Sequence, residues 1–159
     1  MADRFFSDWE SLVSAVDAKA TQILQRDVAP VAEDILKKHI KSDIYDVYTP
    51  KPNGWVNGTT YQRRYALEQA VTTIVQDKHT ILVTSTATAS PAVLSGWSFH
   101  NRYPGAFLKL LEVGNMGIWR GGFPRPAVIN TQNEIDTSQE IKSAIQNGIQ
   151  REIGICIEI

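Results

Sequence analysis

His39, His79 and His100 are the side chains best suited to acid–base or metal chemistry near neutral pH. Each reads as isolated, with no His, Cys or Asp partner at metal-ligand spacing. His39 follows Lys38 on an expected helix, His79 sits in an expected hairpin turn, and His100 falls in a loop. Asp43 and Asp46 flank Ile44 and Tyr45 near a helix end. Carboxylates three apart can share acid–base work or a cation, although the commoner use of that spacing is a solvated face. With one histidine they define one reading, a small metal-dependent enzyme or nuclease. Arg63 and Arg64 lie between Tyr61 and Tyr65. This basic–aromatic cluster can touch a phosphate backbone, the basis of a second reading as a nucleic-acid-binding adaptor. The commoner use of such an arginine is a pair with a nearby carboxylate, here Glu68. The lone Cys156 cannot form an internal disulfide and has no base located beside it. There is no nucleophile elbow, phosphate loop or dinucleotide fingerprint. Gly117 and Gly121-Gly122 lack the strand-then-helix setting that a phosphate loop requires. No cofactor is implied.

The chain has 159 residues, enough for one domain with a real core, and a single domain over 1–159 is expected. Its formal net charge of −1 argues against broad electrostatic binding to nucleic acid, which needs a basic face. No window approaches the roughly 18 apolar residues of a membrane span. The opening MADRFFSDWES is acidic and amphipathic rather than basic and then apolar, which is not the pattern of a signal peptide. The expectation is a soluble protein folded in the cytoplasm.

The elements that must position these side chains follow from periodicity. Phe5, Trp9, Leu12, Val13, Val16, Ala20, Ile23 and Leu24 recur at spacings of three and four, and Val28, Val31, Ala32, Ile35, Leu36 and Ile40 continue the stripe. Pro30 interrupts it, so a kink or break is expected there. The stripe serves as a core face, or in part as a face for a neighbouring subunit. Residues 49 to 60 form a loop with two prolines and two Asn-Gly turns, carrying Trp55 at its tip. The β-branched runs Ala70–Gln76 and Thr80–Thr88 read as strands joined by Asp77-Lys78-His79. Phe107–Val113 is a third strand or a helical turn. Thr137 and Glu140 match a capping box that opens a helix lined by Ile141, Ile145 and Ile149 and stopped at Gly154. Ile155–Ile159 alternates with period two, as a last strand does. The class is α+β: a long kinked N-terminal helix, a small mostly antiparallel sheet with a hairpin, and a C-terminal helix.

The stretch FLKLLEVGNMGIWRGGFPRPAV, residues 107 to 128, gathers an unusual set of residues. Glu112 ends an apolar run and needs a partner, such as Arg120 or Arg125. Gly114 permits a sharp turn. Pro124 and Pro126 fix φ on either side of Arg125, and proline suits a helix's first turn. The result is a stiff joint presenting Trp119, Phe123 and Arg125, residue types enriched at interface hot spots. Alternatively, Trp119 and Phe123 cap the protein's own core.

Three segments together resemble the neck proteins of tailed bacteriophages, the small head–tail joining or tail-completion proteins. They are VAEDILKKHIKSDIYDVYTP, then Tyr61-Gln-Arg63-Arg64-Tyr65-x-Leu67, then the Glu–x–Gly turn, glycine-rich loop and Pro-Arg-Pro of FLKLLEVGNMGIWRGGFPRPAVI. Asn115 stands where that family usually has Thr, and Ala127 where it usually has an aromatic. The resemblance implies a non-catalytic homo-oligomeric ring, commonly of six subunits, in the virion neck. Portal or connector proteins would lie above it and a tail terminator or tail-tube protein below, with DNA passing through without tight binding. The residues themselves make Glu112, Gly114, Trp119, Arg120, Phe123, Pro124, Arg125 and Pro126 the candidate contacts for such an assembly, with Trp55, Arg63 and Arg64 as candidate loop contacts.

Overall fold

A computed structural model describes residues 8–47, 65–87, 106–113 and 124–157. The order is α1 (Trp9–Ile23), a π-helical stretch (Leu24–Val28), α2 (Ala29–His39) and a second π stretch (Ile40–Tyr45). Then come α3 (Ala66–Gln69), β1 (Val71–Val75), β2 (Ile81–Ser85), α4 (Ala106–Val113), α5 (Ala127–Thr137) and α6 (Gln139–Ile153). The class is α+β, with β1 and β2 paired as an antiparallel hairpin. Contacts gather the chain into two compact units: Met1–Ala32 with Thr73–Leu82 and Ser138–Ile159, and Glu33–Thr72 with Val83–Thr137.

Asp8 starts α1 by accepting the Ser11 N–H at 2.7 Å, which satisfies one of the free amides of the first turn. Pro30 does not break the helical run. Its ring presses on the carbonyl four residues back, at Arg26, and it has no N–H to donate. The preceding turn widens instead, with the Ala29 N–H donating to Leu24 O, five residues back. The same i→i+5 pattern recurs where the Asp46 N–H donates to Lys41 O at 2.8 Å.

In the first unit α1 and the π stretch after it pack on α6. Ile23, Val28, Ala29, Ala32 and Ile141 are its buried apolar residues. Gly148 of α6 meets Ile23 so closely that an added Cβ would lie 2.6 Å from Ile23 Cγ2. The seam is edged by ion pairs: Lys19 and Arg26 on Glu152 at 2.6 and 2.9 Å, and Arg151 on Asp27 at 2.5 Å. The hairpin turn touches α1 where the Thr21 hydroxyl donates to Lys78 O at 2.7 Å. Farther up α1 the apolar stripe is not core: Trp9 is 75% exposed, Val16 46% and Val13 41%.

The second unit is built around Leu36, Ile40, Ile44, Tyr45, Leu67, Leu108, Leu111 and Ala127, with Val71, Val83 and Ala87 against them. Each fully buried aliphatic side chain in such a cluster contributes about 1.5–3 kcal/mol. Polar atoms inside are satisfied. Tyr45 Oη accepts the Leu67 N–H at 3.1 Å, and Ser85 Oγ donates to Leu67 O at 2.8 Å. Tyr65, in the left-handed region at φ 53°, caps α3 and meets Tyr45 edge to face.

Several local expectations change. Of the two readings left open for residues 107–113, the helical one holds: they lie in α4, with Leu108 and Leu111, three apart, facing one core. A whole further helix, α5, precedes the C-terminal one. The cap of α6 is therefore Ser138, whose Oγ accepts the Ile141 N–H at 3.3 Å. The Thr137 hydroxyl is spent on Asn133 O at 3.0 Å, inside α5. Gly154 does end α6, at φ 80°, with its N–H on Gln150 O. Residues 154–157 are not a strand; Ile157 O accepts from the Gln146 side chain instead.

Candidate functional site

Two polar arrangements stand out, both in the second unit. The first holds the start of α5. Leu111 O accepts the Arg125 N–H at 3.1 Å, which pins the Pro124–Pro126 segment to the end of α4. Glu112 then turns its carboxylate onto the helix end: Oε2 accepts the Val128 N–H at 2.8 Å, and Oε1 the Ile129 N–H at 3.1 Å. A carboxylate there satisfies two free amides and meets the positive end of the helix dipole. The sequence asks for a partner to Glu112, and backbone amides of α5 are partners that it did not foresee. Pro126 lies just before α5 and its carbonyl accepts the Asn130 N–H at 2.9 Å, the first turn of the helix. Pro124 and Arg125 complete the described part of this joint. Gly114, Trp119, Arg120 and Phe123 lie outside the described residues, as do Trp55, Arg63, Arg64 and His100.

The second arrangement centres on His39, at the end of α2. Its Nδ1 is 3.0 Å from Asp43 Oδ2 and its Nε2 is 2.9 Å from Glu134 Oε2, on α5. Asn130 Nδ2 donates to Asp43 Oδ2 at 2.9 Å, and the Ser42 hydroxyl to Asp43 Oδ1 at 2.7 Å. Lys38 Nζ grips both oxygens of Glu134, at 2.7 and 2.8 Å. Burial pushes the Asp43 carboxyl up, but hydrogen bonds from Ser42, Asn130 and His39 and the His39 charge outweigh it and leave it below the usual range. Glu134 is also held low, first by its hydrogen bond from Lys38 and then by His39.

The chemistry this cluster offers is limited. The two carboxylates meet opposite edges of one imidazole, so they do not share a vertex for a metal ion. Among the described residues, no group of three His, Cys, Asp or Glu side chains is arranged to hold one. The Ser42 hydroxyl donates to Asp43 Oδ1 at 2.7 Å and to the His39 backbone carbonyl at 3.5 Å, not to the ring, so it is not a hydroxyl activated by the imidazole. Asp46 is exposed in the turn beyond the helix. The Asp43–Asp46 pair thus gives way to Asp43–His39–Glu134, which sequence reasoning missed. The readable signal was the spacing of His39 and Asp43, one helical turn apart. Glu134 had none, because α5 was not foreseen. His79 lies in the hairpin turn, where its N–H donates to Asp77 at 2.7 Å and its ring approaches Asp17 at 3.5 Å. Cys156 is exposed beyond α6.

No described helix is long and apolar enough to cross a membrane. The family model YomN matches residues 8–151, and the chain belongs to that family. The YomN family is SPbeta-like, which marks this chain as a phage protein. No curated protein and no solved structure matches it.

Proposed function

We propose that this phage protein is a structural component of the virion neck, forming a homo-oligomeric ring that joins the head connector to the tail around the DNA channel. The observation that carries the reading is an apolar stripe left on the surface of α1, where Trp9, Val13 and Val16 line one face of the helix. A helix that spends three large apolar residues outside its own core is suited to burying them against another chain. Membership of a phage family supports the setting, and the three-segment likeness to neck proteins supports the place. Portal or connector proteins above and a tail terminator or tail-tube protein below are the partners this role requires. In this reading the protein works by contact, and the described polar groups around His39 are bonded to one another. With a net charge of −1, the ring lets DNA slide without holding it.

Peptide mass spectrometry and electron microscopy of purified virions test the reading. The chain is expected in mature particles at a fixed small copy number, as density between head and tail. Its absence from mature particles would sink the proposal. A monomer in solution would not, because neck rings can form only on docking.

A further inference from the structure

Lys38 and His39 of α2, Asp43 of the π stretch after it and Glu134 of α5 form a closed set of charges on three helical segments. Ionised carboxylates only accept hydrogen bonds, so both contacts to the His39 ring are made at once only when each ring nitrogen carries a proton. A neutral imidazole has one N–H. Its other nitrogen would then face a carboxylate oxygen at 2.9 or 3.0 Å, lone pair against lone pair. The set is also electrically neutral only in the doubly protonated form: two carboxylates against one lysine and one imidazolium. His39 and Asp43 are mostly buried side chains, 14% and 18% exposed, so water replaces a lost partner poorly there.

We propose that His39 is a proton-operated clasp on α5: with both nitrogens protonated it ties Asp43 to Glu134, and loss of one proton releases one carboxylate and loosens α5 around Glu134. The groups facing the ring are Asp43, with Ser42 behind it, from the π stretch, and Glu134 and Asn130 from α5. Lys38 acts from α2 through Glu134. The ties that remain on deprotonation, Lys38 to Glu134 and Asn130 to Asp43, keep the change local. At the acid end the clasp persists, since Asp43 and Glu134 hold their charges below the usual carboxylate range. It is thus closed over a window bounded below by carboxylate protonation and above by loss of the ring proton. The inference rests on this geometry alone and stands apart from the neck reading.

The test follows the His39 ring by NMR in the full chain, together with amide hydrogen exchange of α5 corrected for intrinsic rates, from acid to alkaline pH. Protection of α5 amides near Glu134 should fall by about fivefold as pH rises, roughly one charge-assisted hydrogen bond after allowance for partial exposure, with the midpoint of the ring signals. His39→Gln should abolish the step. Glu134→Gln should abolish it without removing the histidine, because an amide can donate to the bare nitrogen or accept from its N–H, so either ring state is satisfied. Flat exchange in the wild type across the ring's titration overturns the proposal. So does a step that survives in Glu134→Gln, and that variant decides the matter if His39→Gln does not fold.

Discussion

Glu112 bonds to the first turn of α5 with both carboxylate oxygens, at 2.8 and 3.1 Å. Removing it leaves two helix-end amides without their acceptor and takes a negative charge from the positive end of the helix dipole. Glu112→Ala should therefore cost about 1–2 kcal/mol in urea unfolding. Glu112→Gln keeps one acceptor oxygen but no charge, and should cost about half as much. If Gln and Ala cost the same, the charge and not the acceptor geometry would be holding α5. The carboxylates with lowered pKa give a separate acid signature. Glu152 is held low first by hydrogen bonds from Lys19 and Arg26, while Asp43 and Glu134 are held low within the His39 cluster. A depressed carboxylate contributes stability that is fully present above its unfolded pKa, about 4, and is lost as pH falls through its folded value. Stability should therefore decline below about pH 4, and the combined variant Glu134→Gln/Glu152→Gln should show a shallower decline. Equal slopes in the two proteins would show that other groups govern acid unfolding. Of these residues, Glu112 was legible as an anchored carboxylate because it ends an apolar run. Its acceptor role was not, because that depends on a helix sixteen residues downstream.

The helices owe their positions to apolar spacing, and where spacing was strong the sequence was readable. Ile23, Val28, Ala32, Ile35, Leu36 and Ile40 are buried as the stripe predicts, and the two β-branched runs form the hairpin. Helix α5 escaped because AVINTQNEIDT is rich in β-branched and Asn/Asp residues of weak helix propensity; packing on the second π stretch and α4 and capping by Glu112 hold it instead. With α5 unseen, the cap of α6 was misplaced by one residue. At Pro30 the place of the irregularity was legible but not its form, since a π turn absorbs a ring that a regular α turn cannot. The seam between α1 and α6 gives the prediction at this scale. Ala is a better helix former than Gly by about 1 kcal/mol, so Gly148→Ala on an open face would stabilise. Here the new Cβ would sit 2.6 Å from Cγ2 of Ile23, a buried and stiff β-branched side chain. Overpacking of that kind costs about 1–3 kcal/mol and should win, for a net loss near 1 kcal/mol. The check is a double-mutant cycle: against Ile23→Ala, the alanine at 148 should become neutral or favourable. A stabilising Gly148→Ala in the wild-type background would mean that the helices are not in contact at this point.

For the whole molecule the open matter is whether Trp119 belongs to the protein's own core or to a neighbour. The two roles make opposite demands on free energy. A tryptophan that caps the core of its own chain costs about 3–5 kcal/mol when cut to alanine, a large part of the stability of a domain this size. A tryptophan that serves as an interface anchor costs at least about 2 kcal/mol per interface on truncation and almost nothing in the isolated chain. That loss weakens each contact by roughly thirtyfold. In the proposed closed ring every subunit would make the contact twice, so the losses would accumulate around the ring and assembly would fail sharply. Under the proposed interface role, Trp119→Ala, and likewise Arg125→Ala, should leave the urea midpoint of the monomer within experimental scatter. In a phage genome carrying either change, DNA-filled heads should accumulate without tails, and Val13→Asp on the exposed stripe of α1 should do the same. If Trp119→Ala unfolds the monomer, the tryptophan is core and the joint is a connector. If all three variants fold and still yield complete particles, the proposed interface role of Trp119, Arg125 and the α1 stripe is wrong.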